Sequence, residues 1–159
     1  MKALRGAAPP GEAKARKKKS AAPVELPETD GVTKRREAAQ SLALKAAAAG
    51  LEKKAERIEI IDVGEKVDYT DFLVLMSGRS DRQVKSVAEG ILAAVEELGA
   101  RAQQVEGLSQ GHWVLVDLGD VIVHVFLDEA RSYYDLEGFW IDAKRVPVEG
   151  AAADSAPRA

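Results

Sequence analysis

The sequence contains no cysteine among its 159 residues. This absence excludes a disulfide framework, a thiolate nucleophile and a cysteine-ligated metal site. The two histidines, His112 and His124, are too few for most transition-metal sites, so we predict no metal and no cofactor. No apolar run approaches the roughly 20 residues that cross a bilayer, and the N-terminus lacks the apolar core of a secretory signal. We therefore expect a cytoplasmic protein with no membrane contact.

Basic residues are concentrated at the N-terminus. Residues 1–20 contain seven Lys or Arg and one acid, a net charge of +6, and residues 21–36 carry three charges of each sign. The total of −3 therefore leaves −9 for residues 37–159. A basic segment can contact RNA phosphates through counterion release. Because residues 1–32 contain no aromatic side chain, such a contact with ribosomal RNA would be weak and sequence-blind.

Composition divides the chain into one domain and two tails. Residues 1–32 are rich in Ala, Pro, Gly and Lys without apolar periodicity, which predicts a disordered basic extension. Residues 33–146 have the patterns of a single α/β domain. Residues 147–159 are predicted to form a disordered C-terminal tail.

Two helices are predicted. Thr33 can cap the first, which runs to about Lys54 with alanines at helical spacing, and Gly50 predicts a kink or an early end. In the second helix, Ser80 and Gln83 form a capping box. Its apolar residues recur at i, i+3, i+4 and i+7 until Gly99 ends it, and they are Val84, Val87, Ala88, Ile91, Leu92, Val95 and Leu98.

Strands are predicted between and after these helices. Residues 58–63 form one strand, residues 71–77 form an apolar strand covered on both faces, and residues 102–105 form a short one. The runs 113–118 and 121–127 are separated only by Gly119-Asp120, which predicts a hairpin with a type II′ turn. This order of elements predicts an α/β fold with a mixed β-sheet flanked by helices.

The hairpin has two chemically different faces in this register. One face is aliphatic and pairs Val116 with Val123, whereas the other pairs Leu115 with His124 and Trp113 with Phe126. Asp128 can cap a helical turn after the hairpin. Five large apolar residues follow within eight positions: Tyr133, Tyr134, Leu136, Phe139 and Trp140. Such a concentration is typical of either a core corner or a contact patch.

Two features raise the question of catalysis. The turn Gly78–Ser80 before a helix can bind an anion, and it is similar to the Gly-Ser turn of nucleotidyltransferases. Those enzymes need paired carboxylates that hold two metal ions, and here Asp117 stands alone. His124 and Asp117 share a hairpin face without a nucleophile. We therefore predict a non-enzymatic protein without catalytic residues, with a nucleotidyltransferase-like enzyme or nucleotide-binding relic as the alternative.

Several ordered motifs together resemble the ribosomal silencing factor (Iojap-like) family over roughly residues 35–144. The motifs are DFLV at 71–74, SGRSDRQV at 77–84, Glu106-Gly107, WVLVD at 113–117, VHVF at 123–126 and RSYYDLE at 131–137, with Trp140. The resemblance implies a nucleotidyltransferase-like fold without the catalytic carboxylates. It also implies a translational repressor that binds the large ribosomal subunit at its protein numbered fourteen. Such a repressor sterically blocks joining of the small subunit under nutrient limitation.

The resemblance and the aromatic concentration point to the same partner-binding residues. Interface energy concentrates in a few Trp, Tyr and Arg residues, and an acidic body suits a basic ribosomal protein. The sequence leaves open whether the free protein forms a homodimer. The residues predicted to bind the ribosomal protein are Trp113, His124, Arg131, Tyr134, Asp135 and Trp140.

Overall fold

The computed structural model describes residues 29–150, with side chains from residue 31 onward. Four helices and six strands follow one another along this part of the chain. In chain order they are α1 (Thr29–Glu52), β1 (Glu56–Asp62), β2 (Phe72–Gly78), α2 (Asp81–Glu96), β3 (Gln104–Glu106), β4 (Trp113–Asp117), β5 (Val121–Leu127), α3 (Asp128–Tyr134), α4 (Leu136–Phe139) and β6 (Lys144–Val146).

The strands form one mixed sheet in the order β3-β4-β5-β2-β1-β6. β2 and β5 are parallel, and every other neighbouring pair is antiparallel. The predicted α/β class with a mixed sheet flanked by helices is confirmed. None of the helices within residues 29–150 has the length and apolarity needed to span a membrane.

The two faces of the sheet are covered differently. The long helices α1 and α2 pack on one face, where the aliphatic side of the hairpin joins a core rich in Val, Ile and Ala. The opposite face carries a smaller cluster that includes Leu73, Leu75, Phe126 and Trp140. Within residues 29–150, this second face is covered by short elements, chiefly α3, α4 and the connection after β1. β2 is buried along its whole length, as predicted for a strand covered on both sides.

The hairpin register is the predicted one. Val116 lies opposite Val123, Leu115 opposite His124, and Trp113 opposite Phe126. Gly119 has a φ of 94°, which the first position of a type II′ turn requires and which glycine adopts without strain. The hairpin therefore places a row of aromatic and imidazole rings on the second face of the sheet.

Helix α1 differs from the prediction at both ends. It begins at Thr29, so Thr33 lies inside the helix, and residues 29–32 belong to the folded domain and not to the extension. The helix runs through Gly50 and ends at Glu52. Glycine is needed there because a Cβ at position 50 would overlap the sulfur of the buried Met76.

Helix α2 has the predicted capping residues with a different bond pattern. The Ser80 hydroxyl accepts a hydrogen bond from the Gln83 N–H at 3.1 Å, and the Gln83 side chain accepts from the Arg79 N–H at 2.7 Å. The helix ends at Glu96. Leu98 therefore lies beyond it and is 51% exposed, which corrects its predicted place on the buried face.

The C-terminal part of the described chain also belongs to the domain. β6 pairs antiparallel with β1, with Ile60 opposite Val146. Val148 is buried in the core beneath α1 although the prediction assigned it to the tail. The predictions of disorder for residues 1–28 and 151–159 lie outside the described residues.

Candidate protein interface

Aromatic rings form a continuous cluster where the hairpin meets α3. The Trp113 ring centroid lies 4.9 Å from that of Phe126 and 4.5 Å from that of Tyr134. Tyr134 contacts Tyr133 edge-on at 5.2 Å. We call Trp113, His124, Phe126, Tyr133 and Tyr134 the aromatic cluster. Hairpin register and the helical turn together bring residues from three elements, β4, β5 and α3, into this cluster.

Trp113 and His124 are joined by a hydrogen bond as well as by ring contact. The indole N–H of Trp113 donates to Nδ1 of His124 at 2.9 Å. His124 is buried, whereas Trp113 is partly exposed. Burial lowers the pKa of His124 to about 3. The imidazole is therefore neutral at pH 7, which is the state in which Nδ1 can accept.

Arg131 anchors α3 to the sheet from beneath the aromatic cluster. Its side chain is fully buried. Nε donates to Glu137 at 3.0 Å, and Nη1 donates to the Arg57 carbonyl at 2.6 Å and to the Ser77 hydroxyl at 3.0 Å. Nη2 lies 2.9 Å from the Glu137 carboxylate. The guanidinium is buried and contacts Glu137, Arg57 and Ser77, whereas the sequence predicted that Arg131 contacts a partner.

Charge stabilises the same network. Burial lowers the pKa of Arg131, against the raising effect of the neighbouring Glu137 carboxylate. Burial of Glu137 favours its neutral form, but the hydrogen bond and charge of Arg131 outweigh it and hold the pKa of Glu137 below its ordinary value. Arg57 adds ion pairs at 3.7 Å to Glu137 and to Asp128. The prediction that Asp128 caps α3 is wrong, because Asp128 is the first helical residue and Leu127 is the N-cap, without a side-chain hydrogen bond.

Asp135 forms the junction between α3 and α4. It has a left-handed φ of 45°, and its carboxylate accepts a hydrogen bond from the Gly138 N–H at 3.3 Å. A Cβ at Gly138 would overlap this carboxylate, so glycine is required for the cap. The Asp135 side chain remains exposed. Trp140 follows α4 and is buried in the second-face cluster, with Phe139 edge-on to it at 5.0 Å.

The six predicted interface residues divide into two groups. Trp113 and Tyr134 are partly exposed and Asp135 is exposed, whereas His124, Arg131 and Trp140 are buried. Three exposed apolar residues on the same segment were missed: Tyr133, Phe139 and Ile141, which are 63%, 72% and 75% exposed. Helical spacing could have identified Tyr133, because positions 131 and 134 lie about one turn apart and face the sheet.

The turn at Gly78–Ser80 is a helix cap. The Arg79 and Gln83 amides are occupied by the side chains of Gln83 and Ser80, as described for α2. Gln83 also donates to the carbonyls of Lys53 and Lys54. Ser80 is therefore the N-cap of α2, as the predicted capping box requires.

Asp117 lies at the opposite end of the sheet from that turn. It pairs with Ile122 near the start of β5, whereas Gly78 pairs with Leu127 at its end. Five residues of strand separate the two places by about 16 Å. The Asp117 carboxylate is buried and accepts from the Gly119 N–H at 2.9 Å. It therefore stabilises the hairpin turn and does not face the Gly78–Ser80 turn.

Comparison with known families identifies the chain. The family model described as "Ribosomal silencing factor during starvation" matches residues 36–159. The chain belongs to the ribosomal silencing factor family. The ribosomal silencing factor of Bacillus subtilis is 44% identical over 98 residues, which cover 62% of this chain and 83% of the relative. That of Halalkalibacterium halodurans is 39% identical over 99 residues, which cover 62% and 85%.

A solved structure has the same fold. The crystal structure of a protein from Chromobacterium violaceum matches with a TM-score of 0.64 and 34% identity, covering 74% of this chain and 98% of that one. The family and fold predicted from the ordered motifs are therefore confirmed. The two sequence relatives carry the name of a regulatory factor and not that of an enzyme.

Proposed function

We propose that this protein represses translation by binding the large ribosomal subunit and sterically blocking the small subunit from joining it. The proposal places the contact at the large-subunit protein numbered fourteen and the action under nutrient limitation. Family membership over residues 36–159 carries the ribosomal role, because several relatives are named ribosomal silencing factors.

The exposed part of the aromatic cluster is the proposed contact surface. We define the docking surface as the exposed parts of Trp113, Tyr133 and Tyr134, together with Asp135. It supports a partner contact because large aromatic side chains combine apolar area with low conformational entropy and dominate interface energies. Phe139 and Ile141 extend the exposed apolar area on the same chain segment.

In the proposal, the three buried residues of the predicted set, His124, Arg131 and Trp140, support the docking surface from inside the protein. Arg131 fixes α3, which carries both tyrosines, and Trp140 fixes the chain after α4. Acidic residues fit a basic partner, since Glu129 and Asp135 are exposed at the two ends of α3. The basic residues 1–20 would add a weak contact with ribosomal RNA. Self-association of the free protein would be a separate property, measurable by sedimentation.

No chemical step is required by this mechanism, because occupying the subunit-joining face is sufficient. The test is a joining assay in which purified large subunits are incubated with the protein before small subunits are added, and assembly is followed by light scattering. We expect the extent of joining to fall with protein concentration and to saturate when large subunits are filled. Unaltered joining at saturating protein would contradict the proposal.

The alternative of nucleotidyl transfer has its own measurement. The protein is incubated with each nucleoside triphosphate and magnesium, and we expect no transfer product. Reproducible product formation that disappears in Asp117→Asn would support the enzymatic alternative instead.

A further inference from the structure

The Trp113–His124 pair joins an exposed ring to a buried one. Trp113 lies at the start of β4 and His124 lies diagonally across the ladder on β5, two residues before Phe126. The Trp113 N–H donates to His124 Nδ1 at 2.9 Å, and the two ring centroids are 5.8 Å apart. A tryptophan side chain has only this one polar atom, so its hydrogen-bonding capacity is fully used inside the protein.

The surroundings of His124 keep it available as an acceptor. Leu115 on β4 and Leu75 on β2 stand on either side of it in the sheet, and the Phe126 ring is stacked at 5.9 Å and 12°. Burial among these apolar groups favours the neutral imidazole, in which Nδ1 keeps its lone pair. A leucine or phenylalanine at position 124 would fill the same space without offering an acceptor.

The indole is held on three sides by these contacts. Phe126 and Tyr134 pack against the Trp113 ring at 4.9 and 4.5 Å, and His124 fixes its N–H. Rotation of the ring would break the hydrogen bond and leave the N–H without its acceptor. The indole N–H is therefore engaged inside the protein, and the ring carbons of Trp113 are what it can offer to a partner.

We propose that His124 is a positioning residue for partner docking, which holds the Trp113 indole so that a partner meets its carbon face and receives no hydrogen bond from it. This inference rests on the proposed function, because it assigns a role within the docking surface. It predicts that the complementary group of the partner is an aliphatic or guanidinium side chain packed on the ring, and not a carbonyl or carboxylate facing the N–H.

Two substitutions at position 124 separate the acceptor from the space it fills. His124→Asn places an oxygen at the distance of Nδ1 from the backbone, whereas His124→Phe keeps a ring and removes the acceptor. We expect His124→Phe to weaken binding to purified large subunits about tenfold, and His124→Asn to stay within about threefold of the parent. Binding is compared under conditions where thermal melts show every variant folded.

Nuclear magnetic resonance measures hydrogen exchange of the indole N–H groups, which would not change if His124 only filled space in the core. The two tryptophans give two indole N–H resonances, and buried Trp140 serves as the internal reference. We expect hydrogen exchange of the Trp113 indole N–H to accelerate in His124→Phe and to remain slow in His124→Asn. Unaccelerated exchange in a folded His124→Phe variant would overturn the assignment of His124 as the acceptor.

A third variant tests the hydrogen bond without a substitution at position 124. Replacing Trp113 by benzothienylalanine, which carries sulfur in place of N–H, keeps the ring and leaves His124 native. We expect about tenfold weaker binding, and unchanged binding would overturn the proposal, as would equal or tighter binding by His124→Phe. If the parent protein does not bind large subunits, the proposed function fails, while hydrogen exchange still decides whether His124 holds Trp113.

Discussion

The buried guanidinium of Arg131 donates a 2.6 Å hydrogen bond to the backbone carbonyl of Arg57, 74 residues earlier in the chain. Arg57 has a left-handed φ of 51° and lies where the pairing of β1 with β2 changes register between Glu56 and Glu59. This irregularity in an otherwise regular strand leaves a carbonyl for a side chain from another element. The irregularity in the sheet thus provides the carbonyl to which Arg131 of α3 is hydrogen-bonded.

Removing the carboxylate partner of Arg131 should destabilise the protein strongly. Glu137→Ala leaves a fully buried guanidinium without its counter-charge, and we expect a loss of about 3 kcal/mol in the free energy of unfolding, measured with urea. Asp142→Ala is the matched control, because Asp142 pairs with Lys66 at 3.5 Å with its side chain 76% exposed. The control should change stability by less than about 0.5 kcal/mol. Equal effects of the two substitutions would contradict the assigned anchoring role.

Acid should destabilise the protein through His124 at a higher pH than it does through Glu137 and Asp62. The folded-state pKa of His124 is lowered to about 3 by burial, whereas an unfolded histidine titrates near 6.5. The unfolded state therefore binds more protons between these values, and stability falls as pH decreases below 6.5, by up to about 1.4 kcal/mol per unit. Above pH 6.5 this group contributes no pH dependence.

Urea unfolding between pH 4.5 and 7.5 measures this effect with little interference. Glu137 and Asp62, whose pKa values lie below the ordinary 4.5 and 3.8, begin to lose their contribution only near those ordinary values, at or below the acid end of this window. We expect His124→Asn to show a flatter stability profile than the parent in this window. Parallel profiles would mean that His124 titrates in the folded protein as it does in the unfolded one.

Adding one methyl group to α1 should have opposite effects at two glycines. Gly50→Ala places a Cβ against the sulfur of the fully buried Met76, so we expect a net loss of about 1 kcal/mol despite the better helix propensity. Gly31→Ala in the same helix meets open space and should be neutral or stabilising by up to about 1 kcal/mol. Thermal melts of both variants test this prediction, and a stabilised Gly50→Ala would show that Met76 can move aside.

Deleting residues 1–28 should affect ribosome affinity without affecting the stability of the fold. Because the segment precedes α1 and has no apolar pattern, we expect an unchanged melting temperature. If it binds ribosomal RNA, deletion should weaken large-subunit binding at low salt. The slope of log affinity against log salt concentration should then become shallower by about 0.7 to 0.9 for each phosphate that the segment neutralises. A large drop in melting temperature would show instead that the segment is part of the fold.

Elements set by local sequence were predictable here. The hairpin register follows from Gly119 at the first loop position together with the alternation of apolar residues, and it was predicted pair by pair. The buried face of α2 follows equally from helical spacing. The start of α1 was misplaced because Thr33 offers a capping side chain, whereas the helix continues upstream through it to Thr29.

The burial of the candidate interface residues depends on contacts with residues that are distant in the sequence. Arg131 resembles an exposed anchor when only its sequence neighbours are considered, and its burial depends on the Arg57 carbonyl and on Glu137. His124 belongs to a mixed face by its register, yet Trp113 and Phe126 close over it. The sequence thus identified which residues lie close together. Only their packing in the structure shows which of them are exposed and which are buried supports.

In the proposed function, the exposed rings of the docking surface bind the large ribosomal subunit. Co-sedimentation of purified protein with isolated large and small subunits measures this directly, with circular dichroism melts alongside. We predict that the parent binds large subunits and not small ones. Tyr134→Ala and Trp113→Ala should each weaken binding by roughly 2 kcal/mol or more, about 30-fold. Leu98→Ala, which removes an exposed side chain beyond the end of α2, should bind like the parent. If both aromatic variants are folded and bind like the parent, the surface is elsewhere.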